Sequence, residues 1–182
     1  MAKPYLSVII PAYNEAKRLP LTLVDIDKKL SEREYSYEII VVSDGSKDAM
    51  VDVTNRFSHI IKNLKIIDRK ENRGKGWSVK EGMLKANGNY RIFTDADNST
   101  SIDQFDKMLP FFKEGYGAVI GSRAVKGAKL EPSQPWYRQI LGKAGNLVIQ
   151  TLATPGFWDT QCGFKCFTEE AAIRIFGAAK IT

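Results

Sequence analysis

Asp95 and Asp97 stand one residue apart, directly behind the apolar run Ile92-Phe93-Thr94. Two carboxylates crowded at the end of a strand repel each other unless a cation or capped donors neutralise them. Hard oxygen ligands with so few protein groups suit Mg²⁺ or Mn²⁺, with the remaining positions taken by diphosphate oxygens. A plainer use of the same residues is a turn before a helix near Ser101, for which Asp97-Asn98-Ser99 has the composition. Metal and diphosphate binding is preferred because other segments point to the same ligand.

The segment Glu71-Asn72-Arg73-Gly74-Lys75-Gly76 is one of them. Two glycines let the backbone approach an anion, a helix beginning after Gly76 adds partial positive charge, and Arg73 and Lys75 add full charges. It lacks the spacing and the Ser/Thr of a P-loop, and solvated loop cations are the alternative. Pro11-Ala12-Tyr13-Asn14-Glu15 places an aromatic ring and a carboxylate behind one apolar run. Behind another stands Ser43-Asp44-Gly45-Ser46-Lys47-Asp48, where Gly45 permits a tight turn and Asp48 can cap a helix. Tyr13 and Asp44 together could hold a nucleotide base, by stacking and by accepting its ring N–H. Taken singly, each motif reads as a turn and cap.

These residues need a scaffold. Ser7–Ile10, Glu38–Val42, Leu64–Ile67, Tyr90–Thr94 and Ala118–Gly121 are short apolar runs with the punctuation of strands. Between them Leu19–Leu30, Asp48–Phe57, Gly76–Ala86 and Ile102–Lys113 carry apolar residues at helical spacing, with Ser101 or Thr100 able to cap the last. This alternation predicts an α/β fold: a Rossmann-like, mainly parallel sheet with helices on both faces. Ligands in such sheets bind beyond the carboxyl ends of the strands, where the motifs fall. A loop from Ser122 to Pro135 and a helix over Trp136–Leu152, broken by Pro155-Gly156, follow.

The 182 residues suit one domain, with a nucleotide-binding half, 1–121, that carries the strand-end motifs, and a second half, 122–182. One histidine and two cysteines, Cys162 and Cys166, assemble no zinc-type ligand set, and the thiols read as reduced, in a cytosolic protein. No apolar run approaches the roughly 18 residues of a membrane span, and no signal-like segment follows Met1. The net charge is +6. Lys62 to Arg91 holds nine basic and three acidic residues, either a solvated face or a surface that attracts phosphates. A basic module binding nucleotides or RNA is the non-enzymatic alternative. Asp95 and Asp97 oppose it, since they would repel a phosphate backbone.

Taken in order, Val8-Ile9-Ile10-Pro11-Ala12-Tyr13-Asn14-Glu15, Ser43 to Asp48, Asn72 to Gly76 and Asp95-Ala96-Asp97 resemble the signature of family-2 inverting glycosyltransferases of the glycosyltransferase A fold. Trp136-Tyr137-Arg138-Gln139-Ile140 and Asp159-Thr160-Gln161-Cys162-Gly163-Phe164-Lys165 resemble the dolichyl-phosphate β-glucosyltransferase branch, so the likeness runs along nearly the whole chain. It implies inverting transfer of a hexose, glucose from UDP-glucose, to a polyprenyl or dolichyl phosphate. It further implies that Pro11, Tyr13, Glu15 and Asp44 line the base and ribose, that Arg73 and Lys75 lie near the donor, and that Asp95 and Asp97 serve ribose and a Mg²⁺ or Mn²⁺ ion. Two positions depart from the pattern. Ser43 stands where the family often has an aspartate, and Ser99 stands where mannosyl-phosphate synthases commonly have glutamine, which weakens a mannose assignment.

An anionic phosphate acceptor needs cations rather than a general base, and Arg123 and Arg138 are the candidates, with bracing of the loop to an acidic neighbour as the alternative for either. Asp159 has three open roles: orienting Lys165, binding a sugar hydroxyl, or acting as base toward a saccharide hydroxyl in an alternative family-2 reaction. The relatives so resembled usually continue beyond the point where this chain stops. The expected setting is cytoplasmic, with peripheral contact at the cytoplasmic face of a membrane and no nucleic-acid partner.

Overall fold

The computed structural model describes residues 3–122, 159 and 162–181. Seven residues, apolar except for Ser7, form β1, Leu6–Ala12, all buried. There follow α1 (Leu19–Ser31), β2 (Tyr37–Asp44), α2 (Met50–Phe57), β3 (Leu64–Arg69), α3 (Lys75–Lys85) and β4 (Tyr90–Phe93). A 3-10 turn over Ile102–Phe105, α4 (Leu109–Lys113) and β5 (Ala118–Ile120) come next, then β6 (Lys165–Thr168) and α5 (Glu169–Ala178). The sheet order is β3-β2-β1-β4-β6-β5. β1 pairs in parallel with β2 and β4, β2 with β3, and β6 is antiparallel to β4.

Strand alternation sends Ile9, Ile40, Val42 and Phe93 to one face, where Val79 and Met83 of α3, Phe167 of β6 and Ala172 of α5 bury them. Val8, Ile10, Ile39, Val41 and Ile92 point the other way and are equally buried, so both faces are covered. Helix α1 contributes Leu19, Leu23, Ile26 and Leu30, spaced along one stripe. Its companion α3 lies unusually close to the sheet: a Cβ on Gly82 would fall 2.4 Å from Cγ2 of Ile9 and 3.1 Å from Cγ2 of Val42. Only a glycine fits there, and the fit sets the height of the α3 N-terminus above the strand ends.

At the opposite end of the strands, buried polar groups are all joined. Glu38 is 3% exposed. It accepts from Oγ of Ser7 at 2.6 Å, the Asn87 N–H at 2.7 Å and Nζ of Lys65 at 2.7 Å. Burial alone would raise its pKa, but these three donors hold the carboxyl below its ordinary value. Arg91, also buried, donates to the carbonyls of Gly88 and Met83 and to Glu169 at the start of α5.

Several elements differ from the expected ones: α2 starts at Met50 rather than Asp48, and β6 and α5 are not among the elements delimited from the sequence. The helix expected over Ile102–Lys113 divides into the 3-10 turn and α4, because Pro110 has no N–H to give and its ring would strike the carbonyl one turn back. Ser101 occupies the N-cap position, yet its side chain does not cap: the hydroxyl donates to Asp103 and accepts from Lys29. Helix α3 begins at Lys75 rather than after Gly76, with Gly74 as its N-cap.

The chain folds as two compact units, one of Met1–Val119 with Phe164–Thr182, the other of Ile120–Gly163. In the second unit Asp159 is half-buried and Cys162 is buried. The expected loop and helix after Ser122 lie outside the described residues. Both cysteines are free thiols, and burial pushes the Cys166 thiol well up. Among the described residues no helix is long and apolar enough to cross a membrane.

Candidate active site

The carboxyl ends of β1, β2 and β4 open onto one cavity of about 260 Å³, lined by Pro11, Tyr13, Glu15, Asp44, Lys75, Ser78, Asp95 and Asp97 among others. Seven of the residues singled out from the sequence therefore meet around one space. The rim loops that carry them are tied to each other. The Asn14 side chain accepts the Lys47 N–H at 2.8 Å, Oγ of Ser46 accepts the Asn14 N–H at 3.1 Å, and Asp48 accepts the N–H of Ala16 at 2.9 Å. Asp48 also accepts the N–H of Met50 at 3.1 Å, but Ala49 occupies the N-cap position of α2, so Asp48 meets the start of that helix without being its cap. Asn14 stands at φ +56°, a conformation asparagine tolerates. Tyr13 is 43% exposed, which leaves its ring open to a planar ligand. Glu15 is held by a two-point contact with Arg18, Nε at 2.7 Å and Nη2 at 2.6 Å, and this contact raises the Arg18 pKa.

Asp44 is the most heavily engaged residue of the site. Only 4% exposed, it accepts the N–H of Arg73 at 2.9 Å and that of Gly74 at 2.8 Å. Arg69 reaches it with Nη1 at 3.2 Å. Its carboxylate thus ties the 71–75 loop to the end of β2. Gly45 makes room for that approach: a Cβ there would lie 2.7 Å from the Asn72 nitrogen and the Glu71 carbonyl carbon, at φ +69°. Ser43, one residue earlier, is fully buried, and its hydroxyl has no hydrogen-bond partner among the described residues.

Lys75, in the first turn of α3, forms an ion pair with Asp95. Asp97 accepts the N–H of Ser99 at 3.0 Å, so the turn foreseen for Asp97-Asn98-Ser99 exists alongside its place at the cavity. Helix α1 fixes this pair of carboxylates from behind. Thr22 donates to the Ala96 carbonyl at 2.7 Å, and Asn98, at φ +55°, donates to Asp25 at 2.9 Å. Burial acts to raise the Asp25 pKa, but hydrogen bonds from Lys29 and Asn98 outweigh it and hold the carboxylate ionised. Among the described residues no three His, Cys, Asp or Glu side chains gather as a self-sufficient metal site. Two carboxylates at a cavity rim fit a cation only if a ligand completes its shell.

Arg73 brings its backbone to Asp44 but turns its side chain outward, over Trp77 at 5.5 Å and toward Glu71 at 3.3 Å. Arg123 and Arg138 lie outside the described residues. Asp159 belongs to the second unit.

Residues 7–171 match the family model for Glycosyl transferase family 2. The chain belongs to this family. It is 42% identical over 186 residues to the dolichyl-phosphate β-glucosyltransferase of Dictyostelium discoideum, an alignment covering 94% of this chain and 56% of that protein. To the human protein of the same name the identity is 32%, over 97% of this chain and 58% of the relative. The chain thus spans little more than half the length of these relatives. Its fold is that of glycosyltransferase A proteins. A mannosyltransferase from Pyrobaculum calidifontis, solved with GDP-Man and Mn²⁺, superposes with a TM-score of 0.62 at 23% identity, over 93% of this chain and 46% of the other. Glucosyl-3-phosphoglycerate synthase from Mycobacterium tuberculosis, solved with Mn²⁺, UDP and glucosyl-3-phosphoglycerate, gives 0.64 at 18% identity, over 92% and 57%.

Sequence reading missed the supports of this candidate site: Arg69 behind Asp44, and Thr22, Asp25 and Asn98 behind the two aspartates. The helical stripe of α1 does expose Thr22 as a polar residue at a buried position, between Leu19 and Leu23. That mismatch was the available signal.

Proposed function

We propose that this chain transfers glucose from UDP-glucose to a dolichyl or polyprenyl phosphate with inversion. The observation that carries the reading is the meeting of Tyr13, Asp44, Lys75, Asp95 and Asp97 around one cavity at the strand ends. Relatives named for this reaction at 32–42% identity supply the substrate class.

In this reading the exposed Tyr13 ring stacks on uracil, with Pro11 and Glu15 along the base and ribose. A carboxylate offers about four acceptor sites, and three on Asp44 are filled, which leaves one for the uracil N3–H. Lys75 meets the diphosphate from the first turn of α3, where the helix dipole adds to its charge. Arg73 contributes chiefly through its backbone, by holding the loop. Asp97, with Asp95, would hold a Mg²⁺ or Mn²⁺ ion, whose Lewis acidity offsets charge on the departing diphosphate. An oxygen of the acceptor phosphate forms the new bond to the anomeric carbon as the bond to UDP breaks, and the electron pair leaves with UDP. The acceptor is already anionic, so no proton has to be removed. Arg123 and Arg138 are the proposed clamps for that phosphate, and Asp159 is the proposed orienter of Lys165. Such an acceptor sets the reaction at the cytoplasmic face of a membrane.

The test is transfer from UDP-glucose, UDP-GlcNAc and GDP-mannose to polyprenyl phosphate, with Mg²⁺, Mn²⁺ or EDTA. The expected result is metal-dependent transfer from UDP-glucose, reduced about tenfold or more by Arg123→Lys or Arg138→Lys, which keep charge but lose the planar fork. Wild-type transfer by both variants, together with loss of transfer to a saccharide hydroxyl in Asp159→Asn, would establish the hydroxyl-acceptor reaction instead.

A further inference from the structure

A second and larger cavity, about 600 Å³, opens beside β3 at the edge of the sheet, and none of Asp44, Asp95 and Asp97 lines it. Its lining comes from the end of β3 and the outward side of α3: Arg69, Lys70, Arg73, Lys80 and Lys85 supply five cations, and Glu71 and Glu81 two carboxylates. The two carboxylates are spent on Arg73 at 3.3 Å, on Arg69 at 3.6 Å and on Lys85 at 2.8 Å. Asp44, from behind the lining, also faces Arg69 at 3.2 Å, and two positive charges are left in excess. The cations also crowd one ring: Arg73, Lys80 and Arg69 lie 5.5, 5.6 and 6.0 Å from the centre of Trp77. Each gains from the ring face, but they repel one another across it. Along α3, Trp77 and Leu84 share one side of the helix at i and i+7, and Leu84 is 40% exposed.

Excess cations around a half-buried indole, with an exposed leucine two turns on, fit a ligand that is anionic at one end and apolar or planar at the other. The volume falls within the range of small-molecule sites, roughly 300–1,000 Å³. We infer that this cavity is a second anion site of the protein and takes an organic phosphate, the phosphate between Lys70 and Lys80 and the apolar part against Trp77 and Leu84. Lys70, Lys80 and Trp77, on which the proposed contacts rest, do not line the strand-end cavity, whereas Arg69 and Arg73 of this lining also meet Asp44. A phospholipid headgroup and a free phosphate ester share this chemistry.

The indole N–H of Trp77, identified by its loss in Trp77→Phe, is a local reporter in a nitrogen–proton correlation spectrum. It is followed while inorganic phosphate, short-chain phosphatidic acid or short-chain phosphatidylcholine is added, each lipid below its micelle concentration. The expected result is saturable movement with phosphatidic acid and none with phosphatidylcholine. Lys70→Glu and Lys80→Gln should each weaken it about tenfold, the loss of one charge-assisted contact, while UDP affinity is kept. Equal saturation by inorganic phosphate would uphold the anion site and identify a soluble phosphate as its source. An unmoved Trp77 signal, equal movement with phosphatidylcholine, or unchanged affinity in both lysine variants would overturn the proposal. Loss of UDP binding in Asp97→Asn with an intact Trp77 response would leave it standing.

Discussion

Replacing Asp44 by asparagine changes almost no volume and so isolates the carboxylate as a junction. Wild-type Asp44 accepts two backbone N–H groups, at 2.9 and 2.8 Å, and faces Arg69 at 3.2 Å. An asparagine offers one oxygen and one NH₂, so at least one of these donors must meet another donor. Arg69, whose side chain is 12% exposed, is left with Glu81 at 3.6 Å as its remaining carboxylate. Losing one hydrogen bond to a charged group costs about 1.5–3 kcal/mol, and a stranded buried donor about 1–3 more. A net loss of about 3 kcal/mol corresponds to roughly 6–12 °C in Tm for a chain of this length. Arg69→Met leaves both backbone donors on an intact carboxylate and should cost about half as much. Differential scanning calorimetry with UDP titration reads both roles of Asp44. The proposed contact to uracil adds a loss of UDP affinity of about tenfold or more in Asp44→Asn. A Tm within about 2 °C of wild type would refute the junction. A lowered Tm with unchanged UDP affinity would keep the junction and remove the base contact.

Three further outcomes are expected. UDP affinity measured by calorimetry should fall in excess EDTA and in Asp97→Asn, and full affinity under both conditions would exclude a metal held at Asp95 and Asp97. Gly82→Ala should destabilise by about 1–3 kcal/mol, because its methyl meets Ile9 at 2.4 Å in a packed core, and an unchanged urea midpoint would show that α3 can lift off the sheet at no cost. Glu38 is held below its ordinary value of 4.5, so its contribution to stability is complete above that pH and is lost as pH falls through the lower folded value. Glu38→Gln should therefore be less stable at pH 7 and show a flatter acid limb below about pH 4.5, and parallel wild-type and variant curves would contradict this.

Where the chain's own periodicity decides the outcome, the fold is legible in the sequence. β1 to β4 are apolar runs with polar ends, α1 shows its stripe from Leu19 to Leu30, and the motifs at the strand ends converge as parallel topology requires. Pro110 was visible too, but the apolar spacing of Ile102, Phe105, Met108 and Phe112 outweighed it; the structure keeps all four buried while changing helix type between them. The insertion of β6 between β4 and β5 has no local signature, since four residues, Lys165 to Thr168, find partners far back in the chain. Supports such as Arg69 beneath Asp44 are long-range pairings as well. Residue type indicates that a buried carboxylate needs donors, yet only the fold says which ones reach it.

That inserted strand has a consequence for how the molecule is made. β4 has β1 on one side from early on, but its other edge is closed only by β6, and Arg91 meets Glu169 78 positions later. At roughly 5–20 residues per second, a growing chain exposes the bare side of β4 for about 4–16 s before its partner has even been synthesised. The four parallel strands can assemble in that interval, and a naked apolar edge is then a template for any passing strand. During this wait Arg91 has the Gly88 and Met83 carbonyls to donate to but no carboxylate, so its charge stays uncompensated and disfavours wrong pairing until Glu169 arrives to neutralise it.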